Sequence, residues 1–305
     1  MAALRKAGHE VQALFVDRHV DMALRQSGIE VAFLAVRGRY GADGCLQGLL
    51  EMLAIPYTGS GVLACGLAMN RAKTKDILRL HNLPTAPAYL IRSAQQDSIS
   101  AVHGAFGFPA VVRSVGATLL SGGTLVRDEM ELESALEGAF ALNDEALVER
   151  VLPGRPICVP VLDGQALGAV EVSRTGSWTA PQSTGTGRQD ACTPARLPPA
   201  REASVLRLAT QACEALGCEG PTCVEMVLSE RFNEIIVDVD SAPLLLPEAP
   251  LPRMAHAAGL SFDDLVEEIL AGARLRAHGI KRNRRTLHST FDGPDRRADA
   301  APAAH

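Results

Sequence analysis

The sequence predicts a mixed α/β protein that is divided into two or three lobes. Apolar runs typical of strands alternate with amphipathic helical stretches along most of the chain. With 305 residues, 47% of them apolar, the chain can bury a substantial core, and chains of this length usually form more than one lobe. It has no run of about 18 apolar residues and no apolar core of a secretion signal. We therefore expect a soluble, cytoplasmic protein without a membrane partner.

The first lobe is assigned to residues 1–87, because Pro84 and Pro87 mark its end. Its predicted elements are a helix, two strands and two further helices, at residues 2–9, 11–16, 31–36, 46–53 and 70–81. A helix that packs on an open α/β sheet normally follows a strand and a glycine-rich turn. Since no such strand precedes the first helix, we expect the N-terminal strand to be missing, either because the true start lies upstream of Met1 or because the lobe has lost its edge.

The second lobe, residues 88–152, is predicted to combine strands with one helix. Strands are expected at 88–91, 109–113 and 146–151, with a helical stretch to residue 105 and a hairpin to residue 126. The helix at 129–141 opens with acidic residues, which suit the positive end of a helix dipole.

The third lobe, residues 153–276, begins with an antiparallel pattern of alternating residues over 157–178. A Ser-, Thr- and Gly-rich loop, a helix, a hairpin pair and a final helix follow, at 182–195, 200–216, 222–228 with 234–239, and 262–276. Residues 277–305 lack periodicity and are predicted to form a disordered tail.

Charge and cysteine usage exclude some functions. The net charge is −5, and residues 274–305 alone hold eight Lys/Arg and three Asp/Glu, so the remainder carries about −10. Such an acidic body argues against nucleic-acid binding. The seven cysteines contain no C-x-x-C pair, which favours structural thiols in a reducing compartment over a zinc site.

One segment identifies a family. Residues 37–75 read RGRYGADGCLQGLLEMLAIPYTGSGVLACGLAMNRAKTK. This segment resembles the N-terminal region of D-alanine:D-alanine ligases, ATP-grasp enzymes that join two D-alanines for peptidoglycan. A family histidine is Arg37 here, and a family glutamate is Ala42. The resemblance extends over residues 2–273 and implies an ATP-grasp fold, with an open α/β lobe followed by two α+β lobes that enclose a nucleotide.

The same resemblance implies ATP as a cofactor. Lys75 aligns with a family lysine, and Arg113 replaces a second lysine that binds phosphate. Glu149 stands where the family has a carboxylate that receives the adenine amino group, and Val151 and Leu152 follow beside the base. These five residues are the expected nucleotide-binding groups.

Magnesium is the second cofactor that the resemblance implies, and Glu225, Asp238 and Asp240 stand at its ligand positions. Alternate residues of a strand share a face, so Asp238 and Asp240 should face Glu225 on the hairpin partner. Three converging carboxylates are unfavourable unless a cation neutralises them. Solvated hairpin residues are the other interpretation, and both stay open.

Several polar groups of the family are replaced, and no catalytic residue is identified as retained. Cys223 stands where the family has its catalytic arginine, and Pro156 where it has the glutamate that binds the ribose. Further replacements lie in the phosphate loop, at Leu119 and Leu120, and in the lid, at Ser183 and Thr184. Removing one donor aimed at a developing oxyanion costs about a hundred- to a thousandfold in rate.

Two hypotheses about function follow. In the first, dipeptide ligation is lost or severely weakened, and the chain acts as a scaffold for cell-wall or division proteins or binds nucleotide without ligation. In the second, it is an active ATP-dependent ligase for D-alanine or a related small amino acid. Because losses at several positions multiply in rate, we favour the first. The resemblance also implies a homodimer formed through the first lobe.

Overall fold

A computed structural model describes residues 1–94, 103–115, 123–172, 192–229 and 233–276. The fold consists of a helical N-terminal part followed by two antiparallel sheets. None of the described helices is long and apolar enough to cross a membrane. The predicted tail, the phosphate loop with Leu119 and Leu120, and the lid positions Ser183 and Thr184 lie outside the described residues.

Five helices make up the N-terminal part: α1 (Ala2–Lys6), α2 (Val20–Ser27), α3 (Cys45–Leu53), α4 (Val62–Met69) and α5 (Arg71–Leu80). Gly44 precedes α3 with a φ of 94°, and a Cβ at this position would lie 2.6 Å from the carbonyl oxygen of Val62. Only glycine tolerates both conditions. This glycine therefore lets the loop before α3 pack directly against the start of α4.

The strands predicted at 11–16 and 31–36 are wrong. Over residues 1–94, which the structure describes completely, the first of these segments forms no ladder, and Phe15 is 89% exposed. The second makes one parallel bridge, from Ala32 to Tyr57. Several apolar residues of both segments instead pack, partly buried, around Leu46 and Leu50 of α3. An apolar run such as VAFLAV at residues 31–36 is therefore also compatible with irregular, half-buried chain.

The second part of the fold is a four-stranded antiparallel sheet with the order β1-β4-β2-β3. Its elements are β1 (Ala88–Arg92), β2 (Ala110–Ser114), β3 (Thr124–Val126), α6 (Glu129–Phe140) and β4 (Glu145–Arg150). Leu132 and Leu136 of α6 are fully buried against one face of the sheet. The predicted strands and helix are confirmed to within one or two residues, and the opposite face of the sheet is left for the cleft.

The third part is a six-stranded antiparallel sheet with the order β10-β9-β5-β7-β8, in which β6 also pairs with β5. Its strands are β5 (Arg155–Leu162), β6 (Gln165–Ala166), β7 (Val170–Val172), β8 (Cys192–Pro194), β9 (Pro221–Ser229) and β10 (Asn233–Asp240). The hairpin of β9 and β10 is confirmed. The end of the loop predicted at 182–195 is wrong, because residues 192–194 pair with β7.

Three helices cover this sheet: α7 (Pro199–Leu216), α8 (Pro250–Ala257) and α9 (Phe262–Ala271). Helix α7 packs against one face, while α8 and α9 cover part of the other. The last helix ends at Ala271 rather than at residue 276. After it, Arg274 pairs with Tyr57 through two backbone hydrogen bonds, and the backbone N–H of Arg276 donates to Glu51 over 2.6 Å. The end of the described chain therefore joins the N-terminal part.

Candidate functional site

Two adjoining cavities lie between the two sheets, and Arg113 lines both. The first is bordered by Arg71, Arg113, Asp238, Asp240, Met69 and Val115 among others. The second is bordered by Val111, Arg113, Glu149, Arg150, Val151, Leu152, Val227 and Val237 among others. Both cavities combine charged and apolar side chains, which suits a ligand that carries both charged groups and an apolar face.

Strand alternation in the four-stranded sheet aims the charged residues at these cavities. Val111 pairs with Glu149 in the register of β2 and β4, and Arg113 is two residues further along β2. Side chains two residues apart share a face, so Arg113 and Glu149 both point to the cleft. The intervening Val112 and Val148 point the other way and pack in the core beneath α6.

Lys75, Arg113 and Glu149, which the sequence predicts as nucleotide-binding groups, come together in the structure. The Lys75 Nζ lies 2.8 Å from Glu149 Oε1, and the Arg113 Nε donates to Glu149 Oε2 over 2.9 Å. All three residues are buried. The carboxylate expected to receive an adenine amino group is therefore bound by two cations of the chain.

The environment of Glu149 strongly favours its ionised form. Burial, the largest single influence, favours the neutral acid, but the combined attraction of Lys75, Arg113 and Arg71 outweighs it and lowers the pKa to about 2. Glu149 therefore stays ionised at every pH at which the protein is expected to be folded.

We predict that acid destabilises the protein through Glu149. The pKa of Glu149 is lowered from 4.5 in the folded protein, so on acidification the unfolded chain takes up the proton before the folded chain does. The contribution of Glu149 to the free energy of unfolding is present above about pH 4.5 and is lost as the pH falls towards about 2. The full loss is about 3 kcal/mol, because one unit of pKa difference corresponds to about 1.4 kcal/mol. Urea unfolding between about pH 6 and about pH 3 measures the larger part of this loss, about 2 kcal/mol. Glu149→Gln should reduce the slope over this window, and an equal slope in both proteins would contradict the assignment.

The floor of the cleft is formed by one face of the β9–β10 hairpin. Glu225 is paired with Asp238, and Cys223 with Asp240, after a register shift between Ile236 and Asp238. Paired residues of antiparallel strands share a face. The predicted juxtaposition of Glu225 and Asp238 is therefore present in the register, and Asp240, two residues after Asp238, lies on the same face.

The two aspartates bind arginines. Arg71 donates to Asp238 Oδ2 from Nε over 2.8 Å and from Nη2 over 2.7 Å. Arg37 donates from Nη2 to Asp240 Oδ2 over 2.7 Å. Burial raises the pKa of Asp238 and that of Asp240, the latter to about 6, although the arginines oppose the shift. The two guanidinium groups therefore stabilise carboxylates that burial alone would leave protonated.

The acidic residues do not fit a divalent cation as they are arranged. Each aspartate also accepts a backbone hydrogen bond on its second oxygen, from Val239 for Asp238 and from Ala242 for Asp240. Within the described ranges, no group of three or more His, Cys, Asp or Glu side chains is placed to hold a metal ion. A cation would have to displace arginines from buried pairs to reach these oxygens.

Arg71 is a site residue that the sequence reasoning missed. It is the first residue of α5, after Asn70, whose side chain caps the helix, and it looks like an ordinary surface charge on a helix. Its side chain is nevertheless largely buried against Asp238. The available signal was its position four residues before Lys75, one helical turn away on the same face.

Cys223 contributes no charge to the cleft. Its side chain is buried with Cys158, Leu251 and Leu265 in the core under α8 and α9. A hydrogen bond with Cys158 and burial raise the pKa of the thiol, so it stays protonated. Pro156 lies on β5, paired with Val227. Neither position supplies the polar group that the family has there.

Comparisons with known proteins match two consecutive parts of the chain to family models. A family model described as D-ala D-ala ligase N-terminus matches residues 4–60, and one described as D-ala D-ala ligase C-terminus matches residues 78–271. The D-alanine–D-alanine ligase of Anaeromyxobacter dehalogenans is 40% identical over 278 residues, which cover 90% of each chain. That of Geobacter sulfurreducens is 36% identical over 92% of this chain and 88% of its own.

Solved structures share the fold. The D-alanine–D-alanine ligase of Bacillus anthracis, complexed with ATP, superposes with a TM-score of 0.77 at 26% identity, over 89% of this chain and 88% of that one. The VanG D-Ala:D-Ser ligase of Enterococcus faecalis gives a TM-score of 0.71 at 22% identity, over 80% and 72% of the two chains. The second likeness shows the fold alone.

Proposed function

We propose a function from one premise: this chain belongs to the D-alanine–D-alanine ligase family. Within that family, we propose a cytoplasmic ATP-grasp protein of peptidoglycan precursor metabolism whose dipeptide ligation is lost or severely weakened. The observation that carries the proposal is that four cations of the cleft are paired with its acids: Lys75 and Arg113 with Glu149, Arg71 with Asp238, and Arg37 with Asp240.

Ligation through an acyl phosphate requires cations aimed at the transferring phosphoryl group and donors aimed at the developing oxyanion. Such groups accelerate a reaction only if they are preorganised towards the reacting atoms. In this cleft the cations are organised towards carboxylates of the chain itself, and breaking a buried ion pair leaves a charge uncompensated. A neutral thiol stands at position 223. These features together support weak ligation.

Nucleotide binding is part of the proposal. We place the base in the second cavity, beside Val151 and Leu152, and the phosphates towards Lys75 and Arg113. The Bacillus anthracis ligase, which shares this fold and was solved in complex with ATP, supports the assignment of a nucleotide to the cleft. We also propose the division into lobes at residues 87, 152 and 276 and a homodimer, as the sequence and the family resemblance imply.

The second candidate is an active ATP-dependent D-alanine:D-alanine ligase or a ligase for a related substrate. The identity of 40% over nearly the whole chain to a D-alanine–D-alanine ligase favours it. It would require Mg²⁺ at Glu225, Asp238 and Asp240, so Arg71 and Arg37 would have to leave their partners in the working complex.

The two candidates are separated by assaying the purified chain with ATP, Mg²⁺ and D-alanine, with dipeptide measured by mass spectrometry and phosphate release in parallel. We expect dipeptide formation to be at least about 100-fold slower than that of the Anaeromyxobacter dehalogenans ligase assayed alongside. A rate similar to that ligase would refute the proposal, provided that Asp240→Asn abolishes it and so assigns it to this chain.

Calorimetric titration with ATP distinguishes a nucleotide-binding protein from a scaffold that acts through cell-wall or division proteins. Saturable binding that Arg113→Gln weakens would support nucleotide binding in the cleft. Absence of binding in the folded wild-type chain would leave only the scaffold form of the proposal.

A further inference from the structure

We infer that Arg37 and Arg71 take the place of a divalent cation in this cleft, so that the acidic end of the hairpin binds no Mg²⁺ while both arginines are present. The inference deepens the proposed function and rests on it for the identity of the cleft. It makes the two arginines the groups that determine metal affinity.

Arg71 binds one carboxylate oxygen of Asp238 with two of its guanidinium nitrogens. Two guanidinium nitrogens lie 2.7 and 2.8 Å from Asp238 Oδ2, and the backbone N–H of Val239 donates to Oδ1 over 3.0 Å. Asp238 is almost fully buried. A guanidinium that is already desolvated and doubly bound is harder to displace than an exposed one, because its alternative partners are few.

The pairing of Arg37 with Asp240 joins two parts of the fold. Arg37 precedes the glycine-rich loop, in which Asp43 accepts hydrogen bonds from the backbone N–H groups of Tyr40 and Cys45. These bonds hold the loop shape and so keep Arg37 over Asp240. The side chains of Arg37 and Asp240 are 32% and 12% exposed.

The two arginines supply the positive charge that a divalent ion would supply, and their presence disfavours the ion. Glu225, Asp238 and Asp240 supply three negative charges near one face of the hairpin, and Arg71 and Arg37 supply two positive charges, the same number as one divalent ion. Mg²⁺ needs about six oxygen ligands at about 2.0–2.1 Å and loses its water reluctantly. A divalent ion added beside both guanidinium groups would be repelled by them at short range. The aspartate oxygens are therefore available to a metal only after the arginines leave.

Removing the arginines should create a metal site, and this can be measured without nucleotide or substrate. Mn²⁺ is the probe, followed by electron paramagnetic resonance and calorimetry on the full chain. We expect no saturable binding to wild type up to about 10 mM, and one Mn²⁺ per chain with at least about tenfold higher affinity in Arg37→Gln/Arg71→Gln. Mg²⁺ should also raise the melting temperature of this double variant and not that of wild type.

The matched control adds Asp238→Asn and Asp240→Asn to the double variant and should abolish the gained binding. Saturable Mn²⁺ binding to wild type that these two asparagines remove would overturn the inference. So would a folded double variant, checked by circular dichroism, that binds Mn²⁺ no better than wild type. If the double variant does not fold, Arg37→Gln alone is tested, because the Arg37 side chain is partly exposed. Absence of any gain in Mn²⁺ affinity in this single variant would also overturn the inference. The dipeptide assay is independent of all these measurements.

Discussion

Glu149→Gln is expected to lower the free energy of unfolding by about 3–5 kcal/mol, because it removes the shared counter-charge of two buried cations. Lys75 Nζ and Arg113 Nε lie 2.8 and 2.9 Å from the two carboxylate oxygens. Glutamine keeps the shape of the side chain and one acceptor, but it carries no charge. Lys75 and Arg113 would then repel each other in a site where both side chains are largely buried.

Urea unfolding near neutral pH, followed by circular dichroism, measures this loss. Glu145→Gln on the same strand is the matched control, because its partner Arg92 is 66% exposed and Glu145 itself is 31% exposed. Exposed ion pairs contribute about 0–1 kcal/mol, so the control should unfold almost as wild type does. Similar losses in the two variants would show that the buried cluster stabilises the fold no more than a surface pair.

The sheets that frame the cleft could be predicted because their information is local. Strand β4 and the hairpin of β9 and β10 are short runs rich in apolar residues between turn residues, and each was placed to within one or two residues. Alternation also predicted that Glu225 and Asp238 share a face, which the register bears out.

Elements whose signal is weak or non-local could not be predicted. Helix α4 is almost uniformly apolar and therefore lacks a 3.6-residue period, and α8 begins with Pro250 and Pro252, which look like loop residues although proline is tolerated in the first turn. The segments at 11–16 and 31–36 are apolar runs like those of strands, but pairing depends on partners elsewhere in the chain.

The charge pairing of the site was also beyond sequence reasoning. Residue types show that cations and acids are present, while only the fold shows that Arg71 reaches Asp238 and that Arg37 crosses to Asp240. The sequence therefore predicted a magnesium site from three carboxylates, whereas the structure pairs two of them with arginines. The predicted roles of the five nucleotide-binding residues stay predictions. Four of them border the second cavity, namely Arg113, Glu149, Val151 and Leu152, and Lys75 pairs with Glu149.

The N-terminal part should be the most sensitive to a cavity in its core. Leu50→Ala is expected to cost about 2–5 kcal/mol, because Leu50 is fully buried on α3 and its removal leaves a void that the surroundings fill only partly. Few fully buried residues support this core: Leu24, Leu46, Leu50 and Tyr57. The remaining apolar contacts are only partly buried, so they offer little to compensate for the loss.

Met52→Ala is the matched control, since Met52 lies on the same helix and is 84% exposed. It should change the free energy of unfolding by less than about 0.5 kcal/mol. Hydrogen exchange locates the effect: Leu50→Ala should accelerate exchange in α3 and in the loop before it, and leave α6 on the four-stranded sheet protected. Uniform acceleration across all three parts would contradict a local weakening. Because that loop carries Arg37 to Asp240, its loosening should also weaken the ion pair between the N-terminal part and the hairpin.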